Sequence, residues 1–309
     1  KTDKVKRLRA MLRHKFITQQ LIDKGWSEDK KYFVADEQGN KFLLRISPIQ
    51  QYERKKSEYE LMSRVSALDV PMCKPLEFGI SEQGVYSIQT WIDGVDAVEK
   101  IHNLTSEEQY FYGFEAGKIL KEIHKIPAPA GIEDWEVYFN RKADRKIKMY
   151  MECPIKYENG QTFIEYINSH RHLLKGRPRT YQHGDYHIGN MIIGSNKQLY
   201  IIDFNRNDFG DPWEEFNRIV WDAQAAPLFA TGMVNGYFYN TVPTEFWELL
   251  ALYISSNALS SLPWALPFGD EQIKVMLNQA KDVLDWYDDM TNPVPAWYKG
   301  VFLNNTKHI

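Results

Sequence analysis

The chain has little cysteine, no low-complexity tract, no internal repeat and no long unbroken apolar stretch. Its two cysteines, Cys73 and Cys153, are far apart and fit neither a disulfide framework nor a metal cluster. Both read as packing residues of a protein in a reduced, cytoplasmic compartment. The apolar runs are short and often broken by charge or proline, so no membrane span is expected. The N-terminal run KTDKVKRLRAMLRHKF is basic but has no apolar core and no small-residue cleavage site, which argues against a secretory signal. Charge is unevenly spread: residues 211–309 carry −7 and residues 1–210 carry +4, within a formal total of −3. An acidic C-terminal part argues against a nucleic-acid surface, and the asymmetry suits a protein that holds an anion in one part and a cation in another. What is present, 43% hydrophobic and 26% charged residues over 309 positions, is the composition of a globular protein of one large domain or two lobes.

Strand patterns fall at 15–22, 31–36 and 41–47, the last two joined by EQGN, whose Gly39 and Asn40 suit a tight hairpin. Residues 50–68 read as a helix with Glu58, Met62 and Val65 on one face. PLEFGI and VYSIQTWI form a further strand pair joined by SEQG. The tripeptide IDG at 92–94 marks a change of regime, dividing the chain into 1–92 and 93–309. A helix from about Ser106 to Lys125 begins at a Thr105 or Ser106 cap with acids in its first turn. Helices follow near 134–151 and 160–174. Strands at 180–183, 190–193 and 199–203 read as one small β insert. In DPWEEFNRIVW, Asp211 caps a helix, Pro212 takes its first position and Glu214 completes a capping box. Two more helices lie near 244–260 and 270–289.

The most informative stretch is QHGDYHIGNMII with LYIIDF after it. Asp185 can accept a proton from a hydroxyl. Asn190, five residues on, and Asp203, thirteen beyond that, supply the hard oxygens that hold magnesium against a nucleotide's phosphates. His183, His187 and His124 read as structural histidines.

HGDYHIGN with IIDF resembles the catalytic loop and metal-binding motif of the aminoglycoside phosphotransferase and choline kinase group, relatives of protein kinases. HG stands where protein kinases have HR. GWSEDKKYFV is similar to that family's phosphate-covering hairpin, FLLRIS to its third strand, VPMCKP to the link after the helix and YSIQTWIDG to its hinge. GKILKEIHKIP and FGDPWEEF resemble two further family elements. The resemblance implies an α+β, two-lobed protein-kinase-like fold, with a small β-rich N-lobe over 1–92 that binds nucleotide. A larger, mainly helical C-lobe over 93–309 would hold the catalytic and acceptor groups. It implies Asp185 as the base, Asn190 and Asp203 as magnesium ligands, and Gly25 and Ser27 over the phosphates. Arg45 stands where the wider kinase group has lysine, with Glu58 as its expected helix partner. Gln89, Thr90, Trp91 and Ile92 would present backbone groups to a purine. The cofactors so implied are ATP or GTP with Mg²⁺, and the partners are a nucleotide and a small-molecule hydroxyl substrate, with no nucleic acid and no membrane. A monomer or weak dimer is expected.

Two acceptor classes follow. Asp282, Asp285 and Asp289, with Trp286 beside them, could receive a polycation such as an aminoglycoside antibiotic. Trp221, Tyr237, Trp264 and Trp286 could instead cage a quaternary amine such as choline; a sugar or amino alcohol is a further alternative. Rival classes lack their elements: a metallophosphoesterase needs GNH downstream of GDYH, and a protein kinase needs an activation segment with APE. A catalytically inactive nucleotide-binding protein remains the alternative outside enzymes.

Overall fold

A computed structural model describes residues 16–23 and 29–301. The positions Gly25 and Ser27 lie outside the described residues. The chain folds as two compact units: the chain up to Val95 with Ile192–Asn205, and Asp96–Met191 with the chain from Arg206 onward.

In the first unit, β1 (Phe16–Ile22), β2 (Lys30–Asp36), β3 (Lys41–Ser47), β4 (Pro75–Ser81) and β5 (Gly84–Thr90) form an antiparallel sheet in the order β1-β2-β3-β5-β4. The β2–β3 turn is pinned by Asp36, whose carboxylate accepts from the Gln38 and Asn40 N–H groups and from Asn40 Nδ2 at 2.8–3.0 Å. Strand alternation then divides the residues between two faces. Phe42, Leu44 and Ile46 join Phe16, Val34, Tyr86 and Ile88 in one apolar core. Arg45 points the other way, directly opposite Lys31 on β2 and Ser87 on β5. Helix α1 (Tyr52–Ser66) packs on β4 and β5, with Tyr52 and Tyr59 against Phe78 and with Met62 and Val65 buried.

The three strands expected as one insert separate. With β6 being Gly94–Asp96, β7 (Thr180–Gln182) pairs with β10 (Asp208–Gly210), a strand the sequence did not suggest. β8 (Met191–Gly194) and β9 (Leu199–Ile201) form a second sheet, in the order β6-β8-β9. β9 is also tied to the 71–73 segment, through Ile201 N to Pro71 O at 3.0 Å and Cys73 N to Ile201 O at 3.2 Å. Cys73 is buried there, and burial pushes its thiol up to about 12, so it packs and does not react.

The second unit is helical: α2 (Ala97–Lys100), α3 (Ser106–Ile123), α4 (Trp135–Glu152), α5 (Gln161–His170), α6 (Ile219–Ala225), α7 (Pro227–Phe238), α8 (Thr244–Ala265) and α9 (Asp270–Trp286). Thr105 caps α3 and closes a capping box with Glu108. α7 was not foreseen, because nine of its twelve residues are buried and it shows no amphipathic period. It packs so closely on α3 that a Cβ at Gly113 would lie 2.0 Å from Phe229 O. The capping box expected after Asp211 does not form. The Glu214 carboxylate accepts from Lys142 at 2.9 Å and from Gln182 at 3.0 Å, and a 3-10 turn precedes α6. Asp211 is an anchor: it takes both arms of Arg177, at 2.6 and 2.9 Å, and the Tyr253 hydroxyl at 2.6 Å. The stretch Thr244–Phe268 is, among the described residues, long and apolar enough to cross a membrane, although the apolar runs of the sequence look too short. Burial accounts for that composition, since α8 lies against α4, α5 and α9 with Phe246, Leu250 and Leu259 fully enclosed.

Candidate active site

In the second unit, the loop from His183 to Asn190 is held from all sides. Gly184 has φ +83°, and a Cβ there would lie 1.9 Å from Arg206 O, so both conformation and space demand glycine. Its N–H donates to Glu215 Oε1 at 2.9 Å. Tyr186 is fully buried and donates to Ala116 O at 2.7 Å. The Ile188 N–H donates to Asp222 Oδ1 at 2.6 Å. Burial raises the Asp222 carboxyl well above its ordinary value, and its other oxygen has no partner, as fits a protonated acid. His183 is buried, edge-on to Tyr186, and its Nδ1 accepts from the Asp185 N–H at 3.3 Å.

This scaffold presents Asp185. Asn190 Nδ2 donates to Asp185 O at 2.8 Å and to its Oδ2 at 3.2 Å, which leaves the Asn190 carboxamide oxygen turned away from the aspartate. Three cationic or titratable groups border the carboxylate: Arg218 Nε at 3.4 Å, Arg206 Nη1 at 3.6 Å and His187 Nε2 at 3.7 Å. Burial, with Arg218, His183 and Arg206 nearby, pushes His187 down to about 4 against the pull of Asp185. Neither the arginines nor Glu215 and Asp222 carries a sequence signal that singles it out.

In the first unit, Arg45 is buried and its partners differ from the sequence expectation. Its Nη1 donates to Asp203 at 2.8 Å, and its Nε and Nη2 donate to Asp29 at 3.3 and 3.0 Å. Glu58 pairs instead with Lys55 at 2.9 Å and Arg54 at 2.8 Å, because Lys55, one turn before it on α1, stands between it and Asp29. Asp29 also accepts from Ser47 at 2.7 Å. Burial would raise the Asp29 carboxyl, but Arg45, Ser47 and Lys55 outweigh it and hold the carboxyl below its usual value. Asp203 lies two residues past β9 with φ +67°, a left-handed conformation that aspartate tolerates. Lys31, opposite Arg45, brings a second cation to 3.7 Å from the Asp203 carboxylate. Arg45, Glu58, Lys55 and Gln89 all line one cavity of about 40 Å³ with Phe204 and Asn205.

Two of the four hinge residues are engaged as donors. The Thr90 N–H bonds Lys74 O at 2.9 Å and the Trp91 N–H bonds Lys41 O at 3.3 Å. Gln89 is buried on β5, so the open backbone begins at Ile92. The tentative acceptor residues also have other employment. Asp282 accepts from Gln224 at 2.6 Å, Asp285 from Lys281 at 3.0 Å, and Asp289 follows α9 in left-handed backbone. The aromatic residues do not converge. Tyr237 is buried against Phe216, Trp264 packs on Phe268, Trp286 is half-buried in α9, and Trp221 alone nears the loop, 6.4 Å from His187.

Comparison with known proteins accords with this geometry. Residues 18–249 match the model of the phosphotransferase enzyme family, and the chain belongs to that family. A search of curated proteins returns no significant match. Among solved structures, a choline/ethanolamine kinase family protein from Mesorhizobium loti superposes with TM-score 0.66 at 14% identity, over 96% of this chain and 98% of its own. Amicoumacin kinase hAmiN, in complex with AMP-PNP, Ca²⁺ and Ami, gives 0.65 at 14% identity over 95% of each chain. Aminoglycoside phosphotransferase APH(4)-Ia, in ternary complex with ADP and hygromycin B, gives 0.63 at 16% identity over 87% of this chain and 94% of its own. The fold is thus the two-lobed, kinase-like fold of that family.

Proposed function

We propose that the chain transfers the γ-phosphoryl group of a nucleoside triphosphate to an alcohol hydroxyl of a small molecule. The observation that carries this reading is the Asp185–Asn190 arrangement, a partly accessible carboxylate whose neighbouring carboxamide is oriented by it. Asp185 orients the hydroxyl and takes its proton as the new P–O bond forms; the bond from the γ-phosphorus to the bridging oxygen breaks, and the nucleoside diphosphate departs. ATP is favoured over GTP, since relatives of this fold were solved with ADP and AMP-PNP.

A divalent ion is required by such chemistry, and Mg²⁺ fits the donor set: the Asn190 carboxamide oxygen and the Asp203 carboxylate are hard oxygen ligands. When bound, Mg²⁺ neutralises phosphate charge. Assigning both to one ion rests on the resemblance of HGDYHIGN and IIDF to the family's metal-binding motif. Arg45 and Lys31 would meet phosphate oxygens, with the backbone near Gly25 and Ser27 covering them, and Ile92 would meet the purine.

For the acceptor, an aminoglycoside-like antibiotic is one reading, supported by the solved relatives with hygromycin B. A hydroxylated metabolite is the second, and the arginines beside Asp185 favour it, because they repel a polycation there. The test is ADP and GDP release by the purified chain with Mg²⁺ against cationic antibiotics, amino alcohols and sugars. Release that depends on an acceptor and disappears in Asp185→Ala supports the kinase reading. Nucleotide binding without turnover of any acceptor would return the inactive binding protein.

A further inference from the structure

We propose that the acceptor carries an anionic group, a carboxylate or a phosphate, close to its reacting hydroxyl, and that Arg206, Arg218 and Lys146 bind it. This deepens the kinase reading and rests on it for the identity of the reacting group.

The two arginines are near Asp185 but not bonded to it. Separations of 3.4 and 3.6 Å are ion-pair contacts without hydrogen-bond geometry, and among the described residues neither guanidinium donates a hydrogen bond. Arg218 Nε is shut away from solvent and makes no hydrogen bond, its one ionic neighbour among the described residues being Asp185 Oδ1 at 3.4 Å. A buried donor left unmade is costly, so the arrangement calls for an acceptor that the chain does not itself provide. Three other arginines of this protein are satisfied. Arg177 grips Asp211 with both arms, Arg45 bridges Asp29 and Asp203, and Arg171 reaches Asn140 and Asp144.

Lys146 adds to the surplus. It lies on α4 with Lys142, Arg145 and Arg218 as charged neighbours, and makes no hydrogen bond or ion pair among the described residues. An acid in its surroundings, Glu214, is taken by Lys142 at 2.9 Å. Among the described residues Asp185 is the carboxylate bordering both arginines, and it also holds Asn190. Arg206 and Arg218 share one counter-charge, Asp185, and Lys146 lies beside Arg218, so the group forms a receptor for an anion. The fork of a guanidinium matches carboxylate and phosphate oxygens better than any neutral group. Because the arginines flank the carboxylate that receives the hydroxyl proton, the anion belongs within a few bonds of that hydroxyl, as in a hydroxy acid or a sugar phosphate.

The test uses the full chain with ATP and Mg²⁺ and matched acceptor pairs: glycerate with glycerol, gluconate and glucose 6-phosphate with glucose, and kanamycin and choline as cations. The expected result is a kcat/KM at least about tenfold higher for an anionic member than for its neutral partner. Arg218→Met and Arg206→Gln should each raise the acceptor KM about tenfold and leave the KM for ATP unchanged. Arg206 is half-exposed, so its variant keeps the test open if Arg218→Met fails to fold. Equal or better turnover of neutral or cationic acceptors would sink the proposal while leaving the kinase reading intact. An increase confined to the KM for ATP would also sink it, assigning the arginines to the nucleotide. A second arm titrates inorganic phosphate onto protein saturated with AMP-PNP and Mg²⁺. Binding weakened about tenfold or more in the variants supports the acceptor-side site, and equal or absent binding overturns it. If AMP-PNP does not bind, the kinase reading fails, and phosphate titration of the protein alone still decides the anion site.

Discussion

Arg45 and Asp203, 158 residues apart in the chain, are joined by a 2.8 Å hydrogen bond from Nη1 to Oδ1. The same guanidinium holds Asp29 with its other edge, so one buried cation ties β3, the start of β2 and the segment after β9 together. Arg45 therefore has a structural task beside any contact with phosphate.

Replacing Arg45 by methionine should destabilise the protein by about 3 kcal/mol, because Asp29 then keeps a buried charge with Lys55 as its remaining cation. Urea denaturation would measure this. Arg45→Lys should recover part of the loss, since an ammonium cannot span both carboxylates. A methionine variant as stable as the parent would show that the bridge is energetically idle.

Asp185→Ala should lower turnover about 10²–10⁴-fold if this carboxylate orients and deprotonates the acceptor. Asp185→Asn keeps the shape and removes the proton acceptor, so it should be similarly impaired. Near-normal turnover in the asparagine variant would remove Asp185 from the chemistry.

Asp222 is held protonated by burial while accepting the Ile188 N–H. Its folded pKa is raised, so above the ordinary carboxylate range the unfolded chain is ionised and the folded one is not; the group's contribution to stability falls as pH rises. Asp222→Asn keeps an acceptor for Ile188 and removes that penalty, so it should be at least as stable at neutral pH. Asp222→Ala leaves the Ile188 N–H unmet and should cost about 1–3 kcal/mol. Thermal melts of the two variants at pH 5 and pH 8 separate these outcomes.

Burial and the charge of Lys142 push Lys146 down to about 7, with Arg218 and Arg145 adding to the shift and Glu214 opposing it. Between that value and the ordinary lysine range, the unfolded chain binds a proton that the folded chain does not. Stability contributed here therefore rises as pH is raised from about 7 toward 10. Lys146→Met should be more stable than the parent at or below pH 7, with the gap closing at higher pH. Urea midpoints across that range would test it; parallel curves for the two proteins would contradict the assignment.

Much of the scaffold was legible because its signals are local. Strand alternation and the EQGN turn announce β2 and β3, and Thr105 announces α3, since each depends on neighbours within a few residues. The HGD-x4-N spacing likewise yields Asp185 and Asn190, whose bond closes within one loop. Elements enclosed on every side leave no period to read: α7 went unseen, and β7 finds β10 rather than β8.

Sequence alone determined the elements of the sheet, the loop from His183 to Asn190 and the resemblance to the phosphotransferase family, because those follow from covalent spacing and backbone preference. Tertiary structure decided which charges meet. It gave Arg45 to Asp29 and Asp203 instead of Glu58, and set Arg206 and Arg218 beside Asp185. Ion pairs across long loops depend on strand register and helix packing, and the order of residues along a chain carries no local record of either.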